Sequence, residues 1–140
     1  MKKTFLSSLV LLTLLSCGKD KDECNKDTAS ISATYKVTAV KYKLTSSSAE
    51  VDYYNQFYTE ACEKDDRIIL AANGTATLVD AGIKCTPAGD DVTTWSVSGN
   101  TLTLDGDPLN IESFDCSTLA ISESNAMTTG DKVIIVLTKQ

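Results

Sequence analysis

The stretch from Cys62 to Cys85 constrains the fold more than any other part of the sequence. Two apolar runs flank the dipeptide Asn73-Gly74, and one cysteine stands at each end of the stretch. Asn-Gly between such runs is the strongest short-range signal for a β-hairpin, because both residues tolerate the left-handed backbone of a tight turn. The stretch therefore predicts a hairpin closed by a Cys62–Cys85 disulfide.

Two registers of this hairpin are compatible with the sequence. In the first, Asn73-Gly74 is a two-residue turn and the cysteines are directly opposed. In the second, residues 72–74 form the loop with a glycine bulge, Leu70 faces Ala76, and the cysteines are offset by one residue. The second register places more apolar residues together on one face. The first places the two cysteines directly opposite each other. Either brings the sulfurs within bonding reach, since opposed Cα atoms lie about 4.5–5.5 Å apart.

Alternation of apolar and polar residues predicts further strands along the chain. The predicted strands are residues 34–44, 67–72, 75–80, 93–97, 101–104, 109–114, 118–122 and 132–138. Their connections are too short for parallel crossovers. We therefore predict an all-β fold, an eight-stranded antiparallel up-and-down barrel or half-open barrel, with at most one short helix in residues 49–61.

The first residues have the pattern of a cleaved signal peptide. Met1-Lys2-Lys3 is a short basic start, and the apolar run from Phe5 to Leu15 is too short to span a bilayer. Leu14-Leu15-Ser16-Cys17 resembles the lipobox of bacterial lipoproteins. The resemblance implies cleavage before Cys17 and acylation of that cysteine with fatty acids such as palmitate.

The chain then divides into a signal peptide (residues 1–16), a lipidated cysteine with a polar tether (residues 17–30) and a barrel domain (residues 31–140). Lys19-Asp20 followed by Asp22-Glu23 resembles the signal that sends some Gram-negative lipoproteins to the cell surface. We expect a lipid anchor in the outer membrane. Exposure on the cell surface and a plain soluble linker are equally compatible with the tether.

The remaining cysteines favour disulfides over a metal site. With Cys17 acylated, four are left, and an even number suggests two disulfides in an oxidising compartment. If Cys62 pairs with Cys85, Cys24 pairs with Cys116 by elimination. Zinc is disfavoured because the chain has no histidine and no Cys-x-x-Cys spacing.

Aromatic residues cluster in the segment that looks least like a strand. Tyr53, Tyr54, Phe57 and Tyr58 are candidates for a lid that contacts a ligand. The other interpretation, which we favour, is a plug that covers one open end of the core.

Several motifs of the hairpin and of the following strands match one known family. They are Cys62-Glu63-Lys64-Asp65-Asp66, Asn73-Gly74-Thr75, Cys85 and the run Thr94-Trp95-Ser96-Val97-Ser98-Gly99-Asn100-Thr101-Leu102-Thr103-Leu104. In this combination the chain resembles the lipocalin-like domain of small bacterial lipoproteins, over about residues 34–138. The resemblance implies an eight-stranded barrel or half-open barrel with a Cys62–Cys85 bridge. The family usually has Gly-x-Trp on its first strand, where this chain reads Ala33-Thr34-Tyr35.

The sequence argues against catalysis, cofactors and nucleic-acid binding. Histidine is absent, and no nucleophile elbow, phosphate loop or dinucleotide-binding motif occurs. Neighbouring carboxylates in a strand, as at Asp65-Asp66, point to opposite faces and make a poor acid–base pair. Loss of Lys2 and Lys3 with the signal peptide takes the formal net charge from −6 to −8, which disfavours nucleic acid.

Two non-enzymatic functions are then open. The first is binding of a small apolar or amphipathic ligand in the mouth of the barrel, as eight-stranded barrels can do. The second is a protein-interaction module, either a subunit of an envelope complex or an inhibitor of a host protein.

Replacing Cys17 with Ala tests the anchor. We expect the variant to leave the membrane fraction for the soluble fraction, because two or three acyl chains hold a protein at a membrane where a polar tether cannot. Fractionation of cells that express either form measures the change. A Cys17→Ala protein that stays in the membrane fraction would contradict the lipoprotein interpretation.

Overall fold

The computed structural model describes residues 24–140, whose strands all belong to one antiparallel sheet. The strands are β1 (Ala33–Lys43), β2 (Val51–Asp52), β3 (Arg67–Leu70), β4 (Thr75–Val79), β5 (Asp91–Ser98), β6 (Thr101–Leu104), β7 (Asp107–Phe114), β8 (Thr118–Ser124) and β9 (Lys132–Lys139). Two four-residue helices accompany them, α1 (Thr28–Ile31) and α2 (Tyr54–Phe57).

Strand β1 closes the sheet into a ring. Along one edge it pairs with β9, from Tyr35 opposite Lys139 to Lys43 opposite Lys132. Along its other edge it pairs first with β3 and, nearer its end, with β2. The strands from β3 to β9 pair in sequence order, so eight strands form the ring and β2 adds to the edge of β1 beyond β3. The predicted eight-stranded antiparallel up-and-down barrel is confirmed.

Every predicted strand is present, but the helices differ from the prediction of at most one. Helix α1 begins after Asp27, whose Oδ1 accepts a hydrogen bond of 2.7 Å from the Ser30 amide, and it buries Ile31. The structure therefore places α1 against the core, in residues that the charge pattern assigned to the tether. The predictions for the signal peptide and for Cys17 concern residues 1–23, which lie outside the described residues.

The hairpin of β3 and β4 adopts the second of the two registers. Leu70 lies opposite Ala76, and the Ala71 amide donates to the Thr75 carbonyl at 2.9 Å. The loop is therefore residues 72–74, with Gly74 at φ +86°, a conformation that favours glycine. This register is favoured because it buries Leu70 and Ala76 together in the core.

One end of the barrel is filled by α1 and by large side chains. Tyr35 and Ile31 are fully buried, and the Tyr35 hydroxyl donates to the Ile31 carbonyl at 2.6 Å. Trp95 donates through Nε1 to the Ala71 carbonyl at 2.8 Å. Cys24, just before α1, pairs with Cys116 at a Cα–Cα distance of 5.3 Å. We call this the plugged end.

Replacing Tyr35 with Phe tests this packing through the pH dependence of stability. At neutral pH the variant leaves the Ile31 carbonyl without its donor, so its free energy of unfolding falls by about 1–2 kcal/mol. Burial raises the pKa of Tyr35 from 10.0 to about 12, so the hydroxyl ionises more readily in the unfolded chain. The stability advantage of Tyr35 is therefore complete below pH 10 and is lost as the pH rises toward 12.

Urea unfolding of the wild type and the Tyr35→Phe variant measures this advantage as a difference in free energy. Groups that titrate in both proteins cancel in the difference. A difference that stays constant between pH 10 and 12 would contradict the burial of the Tyr35 hydroxyl.

Candidate binding site at the open end of the barrel

An apolar cavity lies inside the barrel, between the plugged end and the opposite end. Its volume is about 80 Å³. It is lined by Val37, Tyr58, Ile68, Leu70, Leu102, Leu104, Leu109, Ile121, Ile135 and Leu137. The side chains come from β1, β3, β6, β7, β8 and β9 and from the segment after α2, so the cavity exists only because the ring is closed. We call it the inner cavity.

The inner cavity borders a wider depression at the end of the barrel away from α1. This mouth has a volume of about 530 Å³ and shares Leu104, Leu109 and Ile135 with the inner cavity. The other residues that line the mouth are Leu78, Asp91, Val92, Thr93, Asp105, Asp107 and Glu123. The site thus has an apolar floor and a rim rich in carboxylates, and one molecule could contact both.

Strand register explains how carboxylates reach this rim. Opposed residues in antiparallel strands share a face of the sheet. Asp107 lies opposite Leu104, which lines the inner cavity, and Glu123 lies opposite Val133, which is buried in the core. Both carboxylates therefore occupy positions on the inner face, Asp107 in the last pair of its ladder and Glu123 in the last pair but one.

A further pocket, which we call the wall pocket, lies in the barrel wall beside β3 and is smaller than the mouth. Its volume is about 100 Å³, and it shares Val37, Tyr58 and Ile68 with the inner cavity. The Tyr58 side chain thus stands between the wall pocket and the interior. Burial raises the pKa of the Tyr58 hydroxyl, and Tyr54, Asp66 and Glu63 raise it further. The Tyr58 hydroxyl is therefore kept uncharged where the wall pocket meets the inner cavity.

The other predicted aromatic residues lie at different places. Tyr53 stacks on Tyr42 at a ring-centroid distance of 4.8 Å, and Tyr54 stacks on Tyr58 at 5.2 Å. Phe57 is 41 % exposed. Of the four candidates for a lid, only Tyr58 lines the inner cavity, so the structure does not bring the group together around one ligand site.

The cysteines and aspartates of the Cys62–Cys85 stretch hold the loop after β4. Cys62 and Cys85 pair at a Cα–Cα distance of 5.3 Å, within disulfide range. Asp66 accepts a hydrogen bond from the Ala81 amide at 3.0 Å, and Asp65 accepts one from the Ile83 amide at 2.9 Å. Burial raises the pKa of Asp66. The carboxylates bind backbone amides and thereby attach the segment that carries Tyr58 to the barrel.

Asp80 organises the same loop from its other side. It is buried, and its carboxylate accepts hydrogen bonds from the Cys85 amide at 3.2 Å and from the Gly89 amide at 3.1 Å. Its own amide donates to Asp90 at 3.0 Å. This role could not be predicted from the sequence, because a single aspartate at the end of a strand resembles any turn residue.

The rim carboxylates were also missed as a group. Asp91, Asp107 and Glu123 belong to no recognised sequence motif and lie far apart in the chain. The available signal was alternation, since Asp91, Asp107 and Glu123 each fall in phase with the inward-facing residues of their strands.

Other kinds of site receive no support from the described part of the chain. Within residues 24–140, no group of three or more His, Cys, Asp and Glu side chains is placed to hold a metal ion. Over the same range, no helix has the length and hydropathy needed to cross a membrane.

The fold and the site define a class of protein: an up-and-down β-barrel with one end plugged and an apolar cavity toward the other end. The sequence model of the lipocalin-like domain family matches residues 31–125, and the chain belongs to that family. The match ends before β9, the strand that closes the ring. Comparisons with curated proteins and with solved structures gave no match.

Proposed function

We propose that this protein is an outer-membrane lipoprotein whose barrel binds a small amphipathic ligand through its open end. The observation that carries the proposal is the inner cavity, which is apolar and shares three lining residues with the mouth. The plugged end has no comparable route, because α1 and Tyr35 fill it. Of the two ends of the barrel, the described residues therefore leave the mouth open, and the wall pocket beside β3 is a further opening toward the inner cavity.

The volumes indicate how a ligand would be divided between the two spaces. A dry cavity of about 150 Å³ accepts benzene, so the inner cavity at about 80 Å³ takes only the tip of an apolar group. The mouth, at about 530 Å³, has room for the rest of a small molecule. An amphipathic ligand fits best, with its apolar tip inside and its polar group at the rim.

The proposed anchor leaves this mouth free. Cys24 pairs with Cys116 at the plugged end, so a tether from Cys17 would join the barrel on the side away from the mouth. Acylation at Cys17 and location in the outer membrane rest on the lipobox pattern. A membrane-anchored domain could thus hold its open end toward the surrounding solution.

We propose binding without catalysis. The inner cavity is lined by aliphatic side chains and one tyrosine, which supply neither a nucleophile nor a proton-transfer pair. A protein-interaction module is the second candidate, and the exposed apolar side chains of Val92 (70 %) and Ile83 (60 %) favour it. Its partner would contact the loops around the open end.

Filling the inner cavity should weaken binding. Leu109 lines both the inner cavity and the mouth, and Leu109→Trp places a larger side chain across the passage between them. We expect this variant to bind the neutral dye N-phenylnaphthylamine at least about tenfold more weakly than wild type. Titrations followed by dye fluorescence, excited above the absorption of tryptophan, give the dissociation constants.

Asn110→Trp is the matched control. Asn110 is exposed on the outer face of the same strand, because adjacent strand residues point to opposite faces. The control should bind the dye as the wild type does, and thermal unfolding shows whether both variants are folded. Equal dye affinity in all three proteins, or no binding to the wild type, would contradict ligand binding in the barrel.

A further inference from the structure

We propose that the mouth selects a positively charged amphiphile, such as an alkyl- or arylammonium compound, over neutral and anionic molecules of the same shape. The inference rests on the proposed ligand binding and adds the charge of the ligand to it. Its basis is the combination of an apolar inner cavity with inward-facing carboxylates at the mouth.

Three carboxylates stand at positions where strand alternation normally places apolar residues. Asp91 lies opposite Leu78, which lines the mouth, while Asp107 and Glu123 follow the inner-face register described above. Asp91, Asp107 and Glu123 come from β5, β7 and β8, so the charges are spread around the mouth and do not form one local turn.

Among the described residues, no Lys or Arg lines the mouth beside these carboxylates. The residues that line it include Asp91, Asp105, Asp107 and Glu123 and neither Lys nor Arg. The ion pairs described within residues 24–140 are Lys41–Glu50 and Lys132–Glu112, which use other carboxylates. Asp105 accepts a hydrogen bond from the Thr93 hydroxyl, which leaves its negative charge in place.

The carboxylates alone would not define a site; the apolar cavity beneath them does. A ligand whose apolar tip occupies the inner cavity holds its polar group near the rim. Low-dielectric walls concentrate the field of like charges in a cleft, so a cation there is attracted and an anion is repelled. The wall pocket lacks this property, because Lys64 and Arg67 accompany Glu63 and Asp66 around it.

A matched series of ligands tests the proposal on the mature protein. Phenylbutylammonium, phenylbutanol and phenylbutanoate share one apolar part and differ in charge. Each is titrated against the complex of the protein with N-phenylnaphthylamine, and loss of dye fluorescence reports displacement. We expect the ammonium compound to bind about tenfold more tightly than the alcohol, and the carboxylate more weakly than the alcohol.

A variant without the rim charges tests the origin of this order. Asp91→Asn, Asp107→Asn and Glu123→Gln together remove three carboxylates and keep the side-chain shapes. We expect the ammonium preference to fall below about twofold in this variant and to weaken in the wild type as salt shortens the Debye length. Binding of the neutral alcohol should change little.

The matched control removes the same charge from the outside of the barrel. Glu50→Gln, Glu60→Gln and Glu112→Gln alter exposed side chains that do not line the mouth. This variant has the same net charge as the rim variant, so it should retain the ammonium preference if local carboxylates cause it. A loss of preference in the control equal to that in the rim variant would assign the effect to net charge and overturn the proposal.

The ligand series separates this inference from the proposed function. If the alcohol displaces the dye and all three compounds bind equally, the barrel binds ligands and the charge preference is wrong. Tighter binding of phenylbutanoate would overturn the inference in the same way. If neither the dye nor any compound binds, the proposed function itself fails and the inference fails with it.

Discussion

Pairing of β1 with β9 is the constraint on which the rest of the structure depends. It joins residues 33–43 to residues 132–139 and turns an open sheet into a ring. Closure satisfies both edges of the sheet and fixes which side of every strand faces the interior. The side of each strand that faces the interior in turn determines the inner cavity, the plugged end and the inward position of the rim carboxylates.

The two ends of the ring differ because the sizes of their inward side chains differ. Tyr35, Trp95 and Phe114 fill one end together with α1, and all three are buried. On the strands that line the mouth, the inward positions carry aliphatic residues such as Leu104, Leu109 and Ile135, and then carboxylates. Aliphatic side chains on a ring of this size leave a void, and carboxylates at the edge remain hydrated instead of filling it.

The sequence allowed the strands, the antiparallel ring and the cysteine pairs to be predicted, because alternation and turn residues act locally. The hairpin register needed the structure, since both registers satisfied the local pattern until burial of Leu70 and Ala76 separated them. Helix α1 was not predicted, because the residues before it are charged and polar and a single apolar residue, Ile31, makes no periodic pattern. The mouth could not be predicted, because Asp91, Asp107 and Glu123 are far apart in the chain and meet only after closure.

Methyl NMR during titration with N-phenylnaphthylamine tests most directly whether a ligand enters the barrel at its open end. The expected result is a change in the methyl signals of Leu104, Leu109 and Ile135, which line the inner cavity and the mouth. The methyl signals of Ile31 and Leu119, both fully buried and outside the cavity lining, should stay unchanged. Changes confined to exposed Ile83 and Leu44, with the cavity methyl groups unaffected, would contradict binding inside the barrel.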